Sequence, residues 1–190
     1  MTNTLQLETP RLLLRAWRDE DRAPFAAINA DAEVMRYFEA PLTREQSDDA
    51  IDRYNMQLVR DGFTMFAAEE RERGELAGVL GMQTMRYEIP NLPQPAVEIG
   101  WRLGLHAQGR GLATEGARRI VEHAFNTLGL DQVVAITVAG NAASRKVMEK
   151  LGMTHRPELS FDHPSIAVGH CYRRHILYSL TNDHQLPTIN

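Results

Sequence analysis

Gln108-Gly109-Arg110-Gly111-Leu112-Ala113-Thr114-Glu115 stands between two segments of opposite periodicity. Before it, Val97–Leu103 alternates: Val97, Ile99, Trp101 and Leu103 fall on one face, as in a half-buried strand. After it, Ala117, Ile120, Val121, Ala124, Phe125 and Leu128 recur at the spacing of an amphipathic helix running from about Leu112 to Leu128, and Gly129 suits its C-terminal stop. A glycine-rich turn from strand into helix leaves the first backbone N–H groups with no intrahelical acceptor. The helix dipole adds partial positive charge there, so the turn suits an anion, above all a phosphate or pyrophosphate. Gly109 and Gly111 allow positive φ and a close approach of backbone to ligand.

Working outward, Val133–Val138 is a continuous β-branched run, expected of a strand covered on both faces. Asn141 can cap a following helix that Gly152 ends. Upstream, Phe63–Glu69 and Leu76–Met85 read as a hairpin about a turn at Arg71–Gly74, and Gly78 and Gly81 mark weak points or close packing. Thr43 and Gln46 form a capping box for a helix to about Arg60. Asp19 is the expected cap of an earlier helix, in which Pro24 sits awkwardly. Leu5–Arg15 reads as a first strand broken near Pro10, and Cys171–Leu180 as the last strand after a long loop, Pro157–Gly169. The order β-α-α-β-β-β-α-β-α-β implies one mixed α/β domain over residues 1–180 with helices on both sheet faces; residues 181–190 are expected to be a flexible tail.

The 190 residues are 43% hydrophobic and 24% charged, ordinary for a globular domain. A net charge of −4 speaks against a general nucleic-acid binder. Cys171 is the single cysteine, so no intrachain disulfide can form, which suits a reducing compartment. No basic segment followed by an apolar run opens the chain and no stretch is long enough to span a membrane, so a cytoplasmic location is expected. His163, His170, Cys171 and His175 cluster in sequence but lack zinc-ligand spacing, so no metal is expected. Trp17 and Trp101 read as core.

Gln108-x-x-Gly111-x-Ala113 resembles the acyl-CoA signature of the GCN5-related N-acetyltransferase (GNAT) superfamily. Thr9–Arg15, Glu98-Ile-Gly-Trp101, Ala113-Thr-Glu115, Asn141–Ser144 and Glu149–Met153 are similar to the branch that acetylates ribosomal-protein N-termini. The resemblance covers about Leu7 to Leu180. It implies a mostly antiparallel sheet of about seven strands, splayed between the fourth and fifth to make a cleft, with the fourth bulged there. It also implies acetyl transfer from acetyl-CoA to a primary amine by direct attack in a ternary complex, in a monomer or homodimer. Backbone of Gln108, Gly109, Arg110, Gly111, Leu112 and Ala113 would cradle the pyrophosphate, with Arg110 adding charge. The pantetheine arm would pair with backbone at Ile99, Trp101 and Leu103, and Asn141 would bond its amides.

An attacking amine must first lose a proton, which a carboxylate can take directly or through water. Glu98, on the strand face opposite Val97, Ile99 and Trp101, is the candidate base. Ser144 is the candidate acid for the leaving thiolate, a role the resemblance implies; many superfamily members use a tyrosine, and here Tyr172 is the alternative. The acceptor is expected to be set by Asp19–Arg60 and Pro157–Gly169. A dinucleotide-binding reading fails because Thr114 replaces the third glycine and Asp131 precedes its strand, and a Walker loop fails for want of Gly-Lys-Ser/Thr. A non-catalytic acyl-CoA-binding module is the standing alternative.

Overall fold

The computed structural model describes residues 5–183. Along them run β1 (Leu7–Glu8), β2 (Leu12–Arg15), α1 (Arg22–Ala30), α2 (Arg44–Asp61), β3 (Met65–Glu70), β4 (Glu75–Thr84), β5 (Val97–Leu103), α3 (Leu112–Asn126), β6 (Gln132–Val138), α4 (Ala142–Lys150), β7 (Thr154–His155), β8 (Phe161–Asp162) and β9 (Arg174–Thr181). The strands form one sheet in the order β1-β2-β3-β4-β5-β6-β9-β7, with β8 also on β9. Every pairing is antiparallel except β5–β6.

Nine strands among the described residues, against about seven expected, have a local cause. The turn at Thr9–Arg11 divides the first strand into β1 and β2, and β7 and β8 are two-residue pieces that flank β9. The last strand starts at Arg174, not Cys171, because Ala167–Arg173 closes tight turns (His170 N–H to Ala167 O, Arg173 N–H to His170 O). Thr181 still belongs to β9, and Asn182 N–H bonds Asp131 O at 2.9 Å; residues 184–190 of the expected tail lie outside the described residues.

Helix starts follow local chemistry where it was strong. Thr43 Oγ1 accepts from Gln46 N–H and Gln46 Oε1 accepts from Thr43 N–H, so α2 opens with the expected capping box. Asp19 does not cap α1. It begins a single 3-10 turn, and Pro24 falls in the first turn of α1, where its missing N–H costs nothing. The β3–β4 hairpin has its register break at Ala68/Glu69. Gly78 and Gly81 mark close packing: a Cβ on Gly78 would lie 2.2 Å from Arg102 O, and one on Gly81 would lie 2.1 Å from Thr64 O.

Two apolar layers sandwich the sheet. On one face α3 and α4 pack Ile120, Val121, Phe125, Met148 and Leu151 against Leu12, Phe66, Leu80, Ile99, Val133 and Tyr178. On the other, α1 and α2 bring Phe25, Ile28 and Ile51 onto Met65 and Val79, with Trp17 between them donating Nε1–H to Met65 O. Beyond α1 that second face is covered by Met85, Ile89, Leu92, Leu159 and Phe161 over Val134 and Leu177. Thus β6 is covered on both faces, as its unbroken apolar run requires.

One buried polar residue in α3 carries a stability prediction. His123 is 3% exposed and its Nε2 has no hydrogen-bond partner. Burial, helped by Arg119, holds its pKa below the usual 6.5. The unfolded chain therefore takes up a proton, as pH falls through about 6.5, that the folded chain resists, and stability is lost on the acid side. His123→Met should raise stability by about 1–3 kcal/mol, the typical cost of an unsatisfied buried polar group. It should also shrink the loss between pH 7 and 5 in urea melts; an unchanged acid limb would remove His123 as a cause.

Candidate active site

The site begins with a missing pairing. β5 and β6 run parallel yet pair at one position, Glu98↔Val134. Each is fully paired on its other side, β5 to β4 from Val97 to Leu103 and β6 to β9 from Gln132 to Val138. From Ile99 and Ala135 onward their facing edges are therefore unpaired with each other, and a cleft opens toward their C-terminal ends. In these labels β5 and β6 are the fourth and fifth strands of the expected splay. The expected bulge in β5 is absent, since its register with β4 is unbroken; the irregularity lies one hairpin earlier. The crevice beyond the carboxyl ends of diverging parallel strands is where open α/β sheets bind ligands.

Two helices begin at that end. Before α3, Gly109 and Gly111 adopt φ of 72° and 81°. From Gly109 to Thr114 no backbone N–H donates to an acceptor among the described residues; the first intrahelical bond is Glu115 N–H to Gly111 O. Six consecutive free donors at a positive helix end make a polyanion cradle. A Cβ on Gly109 would meet nothing within 4 Å, so the cradle is open. A pyrophosphate fits these residues.

The loop is braced from three sides. Gln108 Nε2 donates back to Leu103 O at 2.9 Å. Arg11 donates Nη1–H to Arg110 O and pairs with Glu115. Glu115 also accepts from the Thr9 hydroxyl (2.6 Å) and Arg11 N–H (2.9 Å). Burial pushes the Glu115 carboxyl up, but Thr9 and Arg11 outweigh it and hold it below the usual range. Arg110 corrects an expectation: its guanidinium forms a bidentate pair with the buried Glu70 (2.6 and 2.7 Å) instead of standing free for phosphate. That pair holds the Glu70 carboxyl down. Leu112 is buried and Ala113 packs on the core, so in this stretch only backbone is offered to a ligand.

Ile99 and Leu103 are buried and Trp101 packs on the α3 core, so only their backbone can serve a ligand. Glu98 points the other way. Gln83 Nε2 donates to it at 3.2 Å. Burial pushes its pKa up to about 7, with the Gln83 bond opposing. Burial and the Glu98 charge together push the Tyr87 hydroxyl up, which places Tyr87 near Glu98. Tyr87 belongs to a ring cluster with His163 (4.9 Å) and Phe161 (5.7 Å), and His175 closes it 5.0 Å from His163. Burial keeps both imidazoles below their usual pKa, with the His175 charge adding to the effect at His163 and the Arg173 backbone bond opposing it at His175. His170 lies instead against Tyr172, and Cys171 is exposed. Among the described residues no group of three His, Cys, Asp or Glu could hold a metal ion.

At the mouth, Asn141 Oδ1 accepts from Ser144 N–H (3.1 Å) and caps α4. The half-buried Ser144 hydroxyl makes no hydrogen bond within the described residues, so it is not spent on its own helix. Tyr37, from the segment after α1, donates its hydroxyl to Gly140 O (3.1 Å) and meets Tyr172 edge-on at 6.1 Å. Tyr37 and Tyr172 thus stand beside the turn that starts α4.

An acetyltransferase (GNAT) domain model matches residues 11–154. The chain belongs to the GNAT acetyltransferase family. It is 28% identical to the uncharacterized protein YkkB of Bacillus subtilis over 88% of this chain and 96% of that protein. It is 33% identical to the FsC-acetyl coenzyme A-N(2)-transacetylase of Aspergillus fumigatus over 78% of this chain and 65% of that protein. In fold it is similar to a putative ribosomal-protein-serine acetyltransferase from Vibrio cholerae (TM-score 0.75, 16% identity, 95% of this chain and 99% of that one). The mixed sheet flanked by helices is that of the GNAT fold.

Sequence reasoning missed Tyr37, Gln83, Tyr87 and Glu70, which the fold brings to this candidate site. Gln83 stands opposite Glu98 in the β4–β5 register, a pairing that the continuous buried run of β4 does not announce. Tyr37 and Tyr87 lie on loop paths with no periodic signal, and Glu70, at the end of β3, meets Arg110 from forty residues away.

Proposed function

We propose that the protein transfers an acetyl group from acetyl-CoA to a primary amine by direct attack in a ternary complex. Glu98 carries this reading. It is a carboxylate with its pKa pushed up to about 7, set where β5 and β6 last pair and on the sheet face away from α3. A base needs a pKa near the working pH, and burial supplies it. Acetyl-CoA would supply the activated acyl carbon. The free N–H groups of Gly109–Thr114 would hold its pyrophosphate, and the unpaired edges of β5 and β6 would take an extended, amide-bearing arm as an added strand. Glu98 would hold the proton given up by the amine, directly or through water. Ser144 would hand its hydroxyl proton to the departing sulfur, with Tyr172 as the alternative donor.

The acceptor is a protein N-terminus or a smaller amine. The Vibrio cholerae neighbour, named as a putative ribosomal-protein-serine acetyltransferase, supports the first. Absence of a helix long and apolar enough to cross a membrane among the described residues is compatible with a cytoplasmic enzyme. The test pairs calorimetric titration of CoA with thiol release from acetyl-CoA across a panel of amines. Tight CoA binding with amine-dependent thiol release is expected. Binding with no transfer to any amine would make the protein an acyl-CoA sensor.

A further inference from the structure

Arg102 is a cation with no counter-charge. It lies on β5 four residues beyond Glu98, so both side chains leave the strand on the same face. Between them Gly100 contributes no side chain; a Cβ there would come only within 3.4 Å of Met65 Cε. The guanidinium donates one hydrogen bond, Nη1–H to Asn29 Oδ1, and the exposed ring of Phe38 stacks over it at 4.7 Å. Asn29 is itself buried, and donates to the Ser47 hydroxyl. Nε is enclosed without a partner, and among the described residues Nη2 makes no bond and no carboxylate lies within ion-pair distance.

Arg118 and Arg145 also have an enclosed Nε without a partner, and each makes one bond to a backbone carbonyl, but of the three only Arg102 shares a strand face with Glu98. Arg15, Arg11, Arg60 and Arg110 each hold a carboxylate through two nitrogens. A guanidinium stays charged in a protein, and desolvating it without an anion is unfavourable. That cost is tolerable if the anion arrives with a ligand. We propose that the acceptor amine also carries a carboxylate, and that Arg102 recognises it. The inference rests on the acetyl-transfer function above, and extends it to the substrate class. One guanidinium matches the single charge of one carboxylate. Glu98 and Arg102 lie about 13 Å apart along the strand. Amine and carboxylate are therefore several bonds apart, as in an amine-terminal peptide with an acidic second residue or a long ω-amino acid, and do not share a carbon.

The experiment uses matched amines differing in one carboxylate: Gly-Glu-amide against Gly-Gln-amide, and 5-aminopentanoate against its amide, with phosphoethanolamine as the anionic control. The wild type should favour the acid of at least one pair by about 10- to 100-fold in kcat/KM, mostly through KM, the scale of a charged hydrogen bond. Arg102→Met should erase that preference, bringing the acid-to-amide ratio of kcat/KM to about one, and Arg102→Lys should restore part of it. Asn29→Asp, nearly isosteric, gives Arg102 a carboxylate from within and should also erase it without disturbing the fold. Equal rates for acid and amide in the wild type would overturn the proposal. So would a preference for phosphoethanolamine, or an equal fall for acid and amide in Asn29→Asp, which would make Arg102 a structural joint between β5 and α1. If no amine is acetylated, the same pairs are titrated into CoA-saturated protein. Acid-selective binding lost in Arg102→Met then upholds Arg102 while acetyl transfer fails, and binding without selectivity, or none, overturns both.

Discussion

Replacing Glu98 by Gln should lower kcat/KM for acetyl transfer by about 100- to 10,000-fold, the range for loss of a general base. The loss should be greatest below the pKa of the acceptor amine, where a proton must be removed before attack. The wild-type rate should rise with pH through about 7 as Glu98 ionises, and the variant should lose that limb. An unchanged pH–rate profile would take Glu98 out of the mechanism. The same change should stabilise the fold. Below about pH 4.5 Glu98 is protonated in both folded and unfolded chains and makes no difference. Above about pH 7 the folded chain must keep the charge in a half-buried place that the unfolded chain keeps in water. Glutamine removes that cost, so urea melts at pH 8 should show a gain of about 1–3 kcal/mol that fades toward pH 5. Lower activity with higher stability marks a carboxylate placed for chemistry rather than for the fold.

Gly111→Val should weaken CoA binding by more than about 100-fold while leaving a folded protein. At φ of 81° a β-branched residue is strained by at least about 1–2 kcal/mol. The turn relieves that strain by moving φ negative, which turns the N–H groups of Gly111–Thr114 away from a common point. The new Cβ would also sit 3.5 Å from Arg11 Nη2, against the brace that holds Arg110 O. Gly109→Ala is the milder companion: its φ of 72° is strained too, but nothing lies within 4 Å of its Cβ. Calorimetry beside circular dichroism separates the outcomes. Unchanged CoA affinity in a folded Gly111→Val protein would mean the cradle lies elsewhere.

What was legible in the sequence was local or periodic. The strand–glycine–helix unit at 97–128, the Thr43 capping box, the Asn141 cap and the outward face of Glu98 each follow from neighbours within a few residues, and the structure has them all. Even the break at Pro10 showed. Illegible parts depend on partners far along the chain. Arg110 sits in an anion loop and reads as a free cation until Glu70, forty residues earlier, takes both its nitrogens. His163 and His175 read as a histidine cluster with His170, but the β8–β9 pairing gives them Phe161 and Tyr87 as company and leaves His170 outside. The β5 bulge was expected from resemblance, whereas Gly78 meets the backbone at Arg102 and keeps β4 and β5 in continuous register.

The clamp of Thr9 and Arg11 on Glu115 joins residues 104 to 106 positions apart. Chain closure over that distance is slow, and during synthesis it must wait until α3 has emerged. The hairpin of β3 and β4 can pair long before then, but the turn at Gly109–Gly111 lacks its brace until β1 and β2 have docked. The brace on the turn thus forms only after α3 has emerged and β1 and β2 have docked. It reports that both ends of the first two-thirds of the chain have met.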